Sequence, residues 1–146
     1  MSESGTFETL SYLGESTIPH IPFIATATLT SAAAATPINL LADVRVPAGK
    51  KVYVSGFHLT VNGSTVWSTT ATVKIQDTNG SAVDFFTIAV SALTANAYVT
   101  ASTSGVTREN AYKFGTGGTV AKGLQLKGDV NGAGSDLVVN VYGVIA

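Results

Sequence analysis

The stretch Leu137-Val-Val-Asn-Val-Tyr-Gly-Val-Ile145 decides the fold class of this chain. Its side chains alternate between the two sides of an extended backbone, and both sides are apolar. The first side carries Leu137, Val139, Val141 and Ile145. The second side carries Val138, Tyr142 and Val144. Because successive strand side chains point to opposite faces, this pattern predicts a strand covered on one face by the core and on the other by a partner subunit or by the N-terminal region.

Upstream, shorter stretches alternate between one apolar and one polar side, which is typical of half-buried strands. The sequence predicts eight strands, over residues 23–30, 38–46, 52–61, 67–76, 83–90, 98–102, 120–127 and 137–145. Asn62-Gly63 between two of them is a strong signal for a two-residue hairpin. The polar stretch 103–118 receives no strand. Many short strands without an amphipathic helix predict an all-β, single-domain β-sandwich of jelly-roll type. An immunoglobulin-like sandwich and an up-and-down barrel stay open, because one sequence does not reveal strand order.

Three of these strands carry face assignments that the structure can test. In 38–46 the alternation places Val44 among the inward residues, together with Ile38, Leu40, Ala42 and Val46. In 52–61 it places Tyr53 inward with Phe57, Leu59 and Val61, and it puts His58 on the other face with Val52, Val54 and Gly56. Strand 67–76 has Trp67, Ala71, Val73 and Ile75 inward.

Residues 1–22 differ from the β-sandwich domain predicted over 23–146. They contain large apolar side chains without a helical or strand period, and Pro19 and Pro22 favour extended backbone. We therefore expect an extended N-terminal arm whose apolar residues lie on its own domain or on a neighbouring molecule. Its expected anchors are Phe7, Leu10, Tyr12, Ile18 and Ile21.

The composition excludes several classes of function. Charged residues make up 12% of the chain, and no Lys or Arg precedes Arg45, so the basic density is far below that of a nucleic-acid-binding protein. No run of about 18 apolar residues predicts a membrane span. The N-terminus lacks the features of a secretory signal, and the absence of Cys rules out disulfides. Low charge suggests surfaces that are covered by other protein.

The sequence offers little for catalysis or metal binding. His20 and His58 are the two histidines, and neither has a flanking nucleophile or ligand motif. The loop Asp129–Asp136 partly matches a calcium loop, but Ala133 stands where an oxygen ligand is needed, so a glycine-rich turn explains it better. We predict no catalytic residues, no metal, no cofactor and no enzymatic activity.

Three segments resemble small structural proteins from virion gene clusters of tailed phages, in particular the head decoration, or cement, proteins. The first is Val46-Pro-Ala-Gly-Lys-Lys-Val-Tyr-Val-Ser-Gly-Phe, followed by Leu59-Thr-Val-Asn. The others are Ala121-Lys-Gly-Leu-Gln-Leu-Lys-Gly-Asp and Gly134-Ser-Asp-Leu-Val-Val-Asn-Val-Tyr-Gly. The resemblance covers roughly residues 38–146. It implies a trimeric β-sandwich that sits on the capsid lattice without enzymatic activity.

The resemblance and the residue pattern together predict a capsid decoration protein that stabilises the phage head by bridging capsid subunits. Its expected partners are two further copies of itself and the major capsid protein, with no nucleic acid and no membrane. The expected location is the capsid exterior, after synthesis in the host cytoplasm. The interface would comprise the arm anchors together with Val138, Tyr142 and Val144. The alternative is a carbohydrate- or receptor-binding module of a tail or fibre, with an aromatic platform drawn from Tyr53, Trp67, Tyr98, Tyr112 and Phe114.

Overall fold

The structure is a computed structural model that describes residues 20–67, 72–90, 93–110 and 117–146. Nine β-strands lie in these ranges: β1 (Ile21–Leu29), β2 (Ile38–Leu41), β3 (Val52–Trp67), β4 (Thr72–Asp77), β5 (Asp84–Ala89), β6 (Tyr98–Thr100), β7 (Val106–Arg108), β8 (Leu124–Gly128) and β9 (Gly134–Ile145). Short 3-10 helices span Ser31–Ala33 and Asp43–Arg45. Within these ranges, no helix has the length and apolar character that crossing a bilayer requires.

The strands form two antiparallel sheets, which confirms the predicted all-β sandwich. One sheet has the order β1-β9-β3-β6 and the other β2-β8-β4-β5-β7. The chain changes sheet between β1 and β2, between β2 and β3, and between β3 and β4. This order is that of a jelly roll, with β7 added at the edge of the five-stranded sheet.

The core fills the space between the sheets with apolar side chains from both inner faces. The Phe57 and Phe86 rings meet edge to face, with centroids 5.0 Å apart. The largest fully buried side chains are Trp67, Phe57, Phe85, Phe86, Leu29, Leu59, Ile75, Ile88, Leu124, Leu126, Leu137 and Val52. Burying a side chain of this size contributes roughly 1.5–3 kcal/mol before ordering costs.

Strand β9 lies between β1 and β3, and its predicted core side, with Leu137, Val139, Val141 and Ile145, is buried. The side chains of its other side are partly or well exposed. Cover of that other side by a partner subunit or by the N-terminal arm stays a prediction. Gly143 allows the close approach of β3, because a Cβ there would lie 1.9 Å from the carbonyl oxygen of Tyr53. Ile21, the first residue of β1, pairs with Ile145, the last residue of β9.

The predicted hairpin at Asn62-Gly63 is wrong. Strand β3 continues through these residues to Trp67, because β9 pairs with it on both sides of a register shift: Asp136 pairs with Asn62 and Gly134 with Trp67. Gly63 does have a positive φ, of 146°. A Cβ there would lie 2.5 Å from Ser135 Oγ, so the glycine permits a close approach between strands and not a reversal of the chain.

The strand predicted over 38–46 ends at Leu41, where a shift in the pairing with β8 puts Leu41 in the core. The chain then forms a 3-10 turn, and Val44, predicted inward, is 91% exposed. The cause is a set of contacts distant in sequence: the Asp43 carboxylate accepts hydrogen bonds from the Thr78 hydroxyl and from the Gly123 N–H, the latter at 2.8 Å. Alternation within the segment carries no sign of them.

The face assignment at the start of β3 is also corrected. The pairing with β9 skips Ser55, which forms a β-bulge opposite Tyr142 and Gly143. A bulge reverses the alternation that follows it. Val52 and Val54 therefore face the core in place of Tyr53, and His58 does not share their face.

Other strand boundaries differ as well. Trp67 ends β3 instead of opening β4, and Ala71 lies outside the described residues. Strand β8 begins at Leu124, because Ala121 adopts a φ of 58° and donates its N–H to the Lys50 carbonyl. Strand β7 lies in the polar stretch 103–118, for which no strand is predicted. The guanidinium of its Arg108 lies 5.4 Å from the Phe86 ring centroid.

Asp77, predicted as part of a turn, is a fully buried carboxylate at the end of β4. Its Oδ1 accepts the Val83 and Asn79 N–H groups at 2.9 and 3.2 Å. Its Oδ2 accepts the Thr119 N–H and hydroxyl at 2.7 and 2.6 Å. Four donors satisfy this buried group, so it joins two loops to the sheet.

Candidate interaction surface

The outward side of the four-stranded sheet carries no Asp, Glu, Lys or Arg along the paired rows from Val138 to Val144 of β9. We call this surface the uncharged face. It consists of Pro22, Ile24, Thr26 and Thr28 of β1, Val138, Asn140, Tyr142 and Val144 of β9, Gly56, His58 and Thr60 of β3, and Tyr98 and Thr100 of β6. Asp136 lies at its rim, where the carboxylate accepts the Ser31 N–H at 3.0 Å.

Large apolar side chains stand exposed on this face. Ile24 is 79% exposed, Tyr98 56% and Tyr142 38%. Ile24 pairs with Tyr142 across β1 and β9, so the two form one continuous patch. Single exposed apolar residues are ordinary, but a contiguous patch marks a surface for interaction.

Three rings form the centre of the uncharged face. The His58 ring lies between Tyr98 and Tyr142, with centroid distances of 5.5 and 5.6 Å and interplanar angles of 60° and 77°. Gly56 makes room for the Tyr142 ring, because a Cβ there would lie 2.6 Å from the Tyr142 hydroxyl. The rings stand at steep angles to one another and do not form a flat platform.

The predicted interface residues fall into three groups. Val138, Tyr142 and Val144 lie together on the uncharged face. Ile21 belongs to β1 and pairs with the buried Ile145, so it shares the core side of the sheet, where it is 44% exposed at the strand end. Phe7, Leu10, Tyr12 and Ile18 lie outside the described residues.

Ile24 and His58 of this face were not predicted as interaction residues, and Tyr98 was predicted only as a member of the alternative aromatic platform. Ile24 shares the outward side of β1 with Thr26 and Thr28. The alternation of side chains within β1 is therefore enough to place Ile24 on this face. Tyr98 and His58 come together through the pairing of β3 with β6, in which Thr60 pairs with Tyr98. No pattern within either segment predicts that pairing.

The outward side of the five-stranded sheet has the opposite character. Lys74 Nζ donates to Asp84 at 2.6 Å, Gln76 Nε2 donates to the same carboxylate at 2.7 Å, and Gln125 Nε2 donates to the Gln76 side chain at 3.0 Å. The hydrogen bond to Asp84 raises the pKa of Lys74 above its ordinary value. We call this surface the polar face.

The side chains of the candidate calcium loop make hydrogen bonds to other segments of the fold. In the loop Asp129–Asp136, the Asp129 carboxylate accepts the Thr72 N–H at 3.0 Å and the Asn131 amide oxygen accepts the Ala35 N–H at 2.9 Å. These bonds attach the loop to two segments that are distant in the sequence. Among the described residues, no three His, Cys, Asp or Glu side chains converge as a metal site would require.

The proposed aromatic platform is not assembled from the residues predicted for it. Trp67 is 1% exposed and lies in the core. Tyr53 packs over Gly117, where a Cβ would lie 2.7 Å from its ring. Tyr112 and Phe114 lie outside the described residues, which leaves Tyr98 as the exposed member.

A cleft at one end of the sandwich is lined by basic and small residues. Its walls are His20, Ala48, Gly49, Lys50, Lys51, Tyr53 and Ala146. The described ion pairs, Lys74–Asp84 and Lys122–Asp43, are at other sites. The cleft lies where β3 and β1 begin and β9 ends, next to the uncharged face.

Comparison with known proteins identifies a structural neighbour. No protein-family model matches the sequence, and no curated protein matches it. The fold is similar to that of a chain in the acidic stable capsid structure of Helicobacter pylori bacteriophage KHP30, with a TM-score of 0.50 and 17% sequence identity. The similarity covers 85% of this chain and 87% of that chain. At this identity, the similarity shows a shared fold.

Proposed function

We propose that this chain is a non-enzymatic virion structural protein: a capsid decoration, or cement, protein that binds the assembled phage head. The uncharged face carries this proposal. A small sandwich that exposes Ile24, Tyr98 and Tyr142 on a face without charged side chains has a surface suited to cover by other protein. The structural neighbour comes from a bacteriophage capsid, which supports the virion setting.

Decoration stabilises a shell by mass action. A protein that binds only the assembled head lowers the free energy of that state by RT ln(1 + [L]/Kd). By bridging neighbouring capsid subunits, the protein ensures that opening a junction also breaks its own contacts. In this proposal it acts as a homotrimer on the capsid exterior, and its partner is the major capsid protein.

The alternative, a carbohydrate- or receptor-binding tail or fibre module, receives less support from the geometry. Sugar rings stack on flat aromatic surfaces, whereas the rings of His58, Tyr98 and Tyr142 are inclined by 60° and 77°. The only tryptophan, Trp67, is in the core.

Co-sedimentation tests the proposal. Heads are prepared from the phage that encodes this chain after deletion of its gene, and purified full-length protein is added back. We expect saturable binding and a higher temperature of head disruption. If the protein stays in the supernatant at all concentrations, the decoration proposal fails. Binding to a glycan array instead would support the alternative.

A further inference from the structure

We infer that residues 1–19 of one copy lie on the uncharged face of a second copy. The inference rests on the self-association included in the proposed function and does not depend on binding to a capsid. It commits to one occupant for the uncharged face, the N-terminal arm of a neighbouring subunit.

The first argument is the match in composition. The 19 residues contain five large apolar side chains besides Met1: Phe7, Leu10, Tyr12, Leu13 and Ile18. They contain no Lys or Arg. Such a segment is too short to form a core of its own. A surface without charged side chains can bury its apolar residues without also burying an unpaired charge.

The second argument is the direction of the chain. Strand β1 begins at Ile21, at the end of the sheet where β9 finishes. Covering the face of its own subunit would require an immediate reversal. However, Pro19 and Pro22 favour extended backbone, and the nearest upstream glycine, Gly14, is six residues before His20. An extended segment of that length reaches about 20 Å outward, which favours a neighbouring copy.

The third argument is charge. Glu3, Glu8 and Glu15 are the side chains of the segment that carry a charge at neutral pH. Lys50 and Lys51 line the cleft that borders the uncharged face, and the described part of the chain supplies no carboxylate side chain to that cleft. An arm that crosses the face of a second copy towards this end brings opposite charges together. Exposed ion pairs add little binding energy, so they determine the direction in which the arm crosses the face more than its affinity for the face.

Disulfide trapping tests the contact directly, because the chain contains no cysteine. A Leu10→Cys copy is mixed under oxidising conditions with a differently tagged copy carrying Ile24→Cys or Tyr98→Cys on the uncharged face. The matched control carries Lys127→Cys on the polar face. We expect at least about tenfold more linked hetero-dimer with the uncharged-face cysteines than with the control, because disulfides form only when the two Cα atoms lie within about 7 Å.

Two results overturn the inference. One is equal or absent linkage with the uncharged-face and polar-face cysteines. The other is a Leu10→Cys/Ile24→Cys double variant that forms its disulfide within a single chain and yields no linked dimer, which would place the arm on its own subunit. Deletion of residues 1–17 gives an independent readout: circular dichroism should remain that of a β-sandwich while the oligomer dissociates. An unchanged oligomer after deletion also contradicts the inference, whatever the result of co-sedimentation.

Discussion

The two outward faces of this sandwich differ in the polarity of their side chains. On the polar face, Lys74 and Gln76 bind the Asp84 carboxylate, so water can cover a surface whose polar groups are already satisfied. On the uncharged face, Ile24 and Tyr98 project from a sheet with no charged side chain along the rows from Val138 to Val144. The same fold therefore carries one surface suited to solvent and another suited to protein.

The difference explains the low charge content of the chain. Only 12% of its residues are charged, and several of the described ones hold the five-stranded sheet and its loops together. Asp77 is buried under four hydrogen bonds, and Asp43 anchors the turn after β2. The four-stranded sheet needs no such groups on its outward rows if protein covers it.

A charge placed on the uncharged face should have the largest effect. Ile24→Lys should leave the monomer folded, since Ile24 is 79% exposed. In an assembly it would bury an unpaired charge, which costs about 3–5 kcal/mol. We expect the oligomer to dissociate at micromolar concentration in light scattering. Thr107→Lys on the polar face is the matched control and should not dissociate it. Equal behaviour of the two variants would remove the distinction between the faces.

Asp77→Ala tests the buried carboxylate of the five-stranded sheet. The substitution leaves the Thr119 and Val83 N–H groups without their acceptor, which should lower the free energy of unfolding by about 3 kcal/mol. Urea unfolding measures it. Asp129→Ala removes an exposed carboxylate that accepts one N–H, from Thr72, and serves as the control with a smaller loss. Similar losses would show that burial of Asp77 adds nothing.

Gly63→Val tests the irregular pairing of β3 with β9 beside the uncharged face. The backbone of Gly63 has a positive φ, and Ser135 Oγ lies 2.5 Å from the position that a Cβ would occupy, so a larger side chain should be strained. We expect a loss of about 2 kcal/mol in unfolding free energy. Gly80→Val is the control, because a Cβ there has no neighbour within 4 Å. An unchanged melting temperature for Gly63→Val would contradict the described geometry.

The lowered pKa of Asp43 predicts that the free energy of unfolding depends on pH. The Thr78 hydroxyl, followed by the Gly123 N–H, lowers the pKa of Asp43 below its ordinary value of 3.8. A carboxylate with a lowered folded-state pKa stabilises the fold above its unfolded-state pKa, and this contribution is lost as the pH falls through the folded-state pKa. The stability difference between the parent and Asp43→Asn should therefore be largest near neutral pH and shrink below pH 3.8. A constant difference in urea unfolding across this range would refute the assignment.

The smallest effect is expected from replacing both histidines. His20→Gln with His58→Gln keeps the uncharged face uncharged and should leave folding and assembly within about 1 kcal/mol of the parent. Light scattering and thermal unfolding check this. Loss of assembly in the double variant would show that the His58 ring has a specific role between Tyr98 and Tyr142.

Sequence reasoning recovered the features that depend on local alternation. The core side of 137–145 and the sandwich class follow from side-chain period alone. The misplaced elements depend on partners far away in the chain. Asp43 ends β2 through contacts with Thr78 and Gly123, and the Ser55 bulge reverses a face through its pairing with β9. The grouping of Tyr98 and Tyr142 around His58 was not predicted for the same reason, because strand pairing joins Tyr98 to the residues of β3.

The central claim is that the uncharged face is covered by other copies of this chain, and the molar mass in solution tests it most directly. Multi-angle light scattering of the full-length protein at micromolar concentration should give three times the chain mass of 14.9 kDa. A mass of 14.9 kDa would show that the uncharged face stays open to water and would contradict the account.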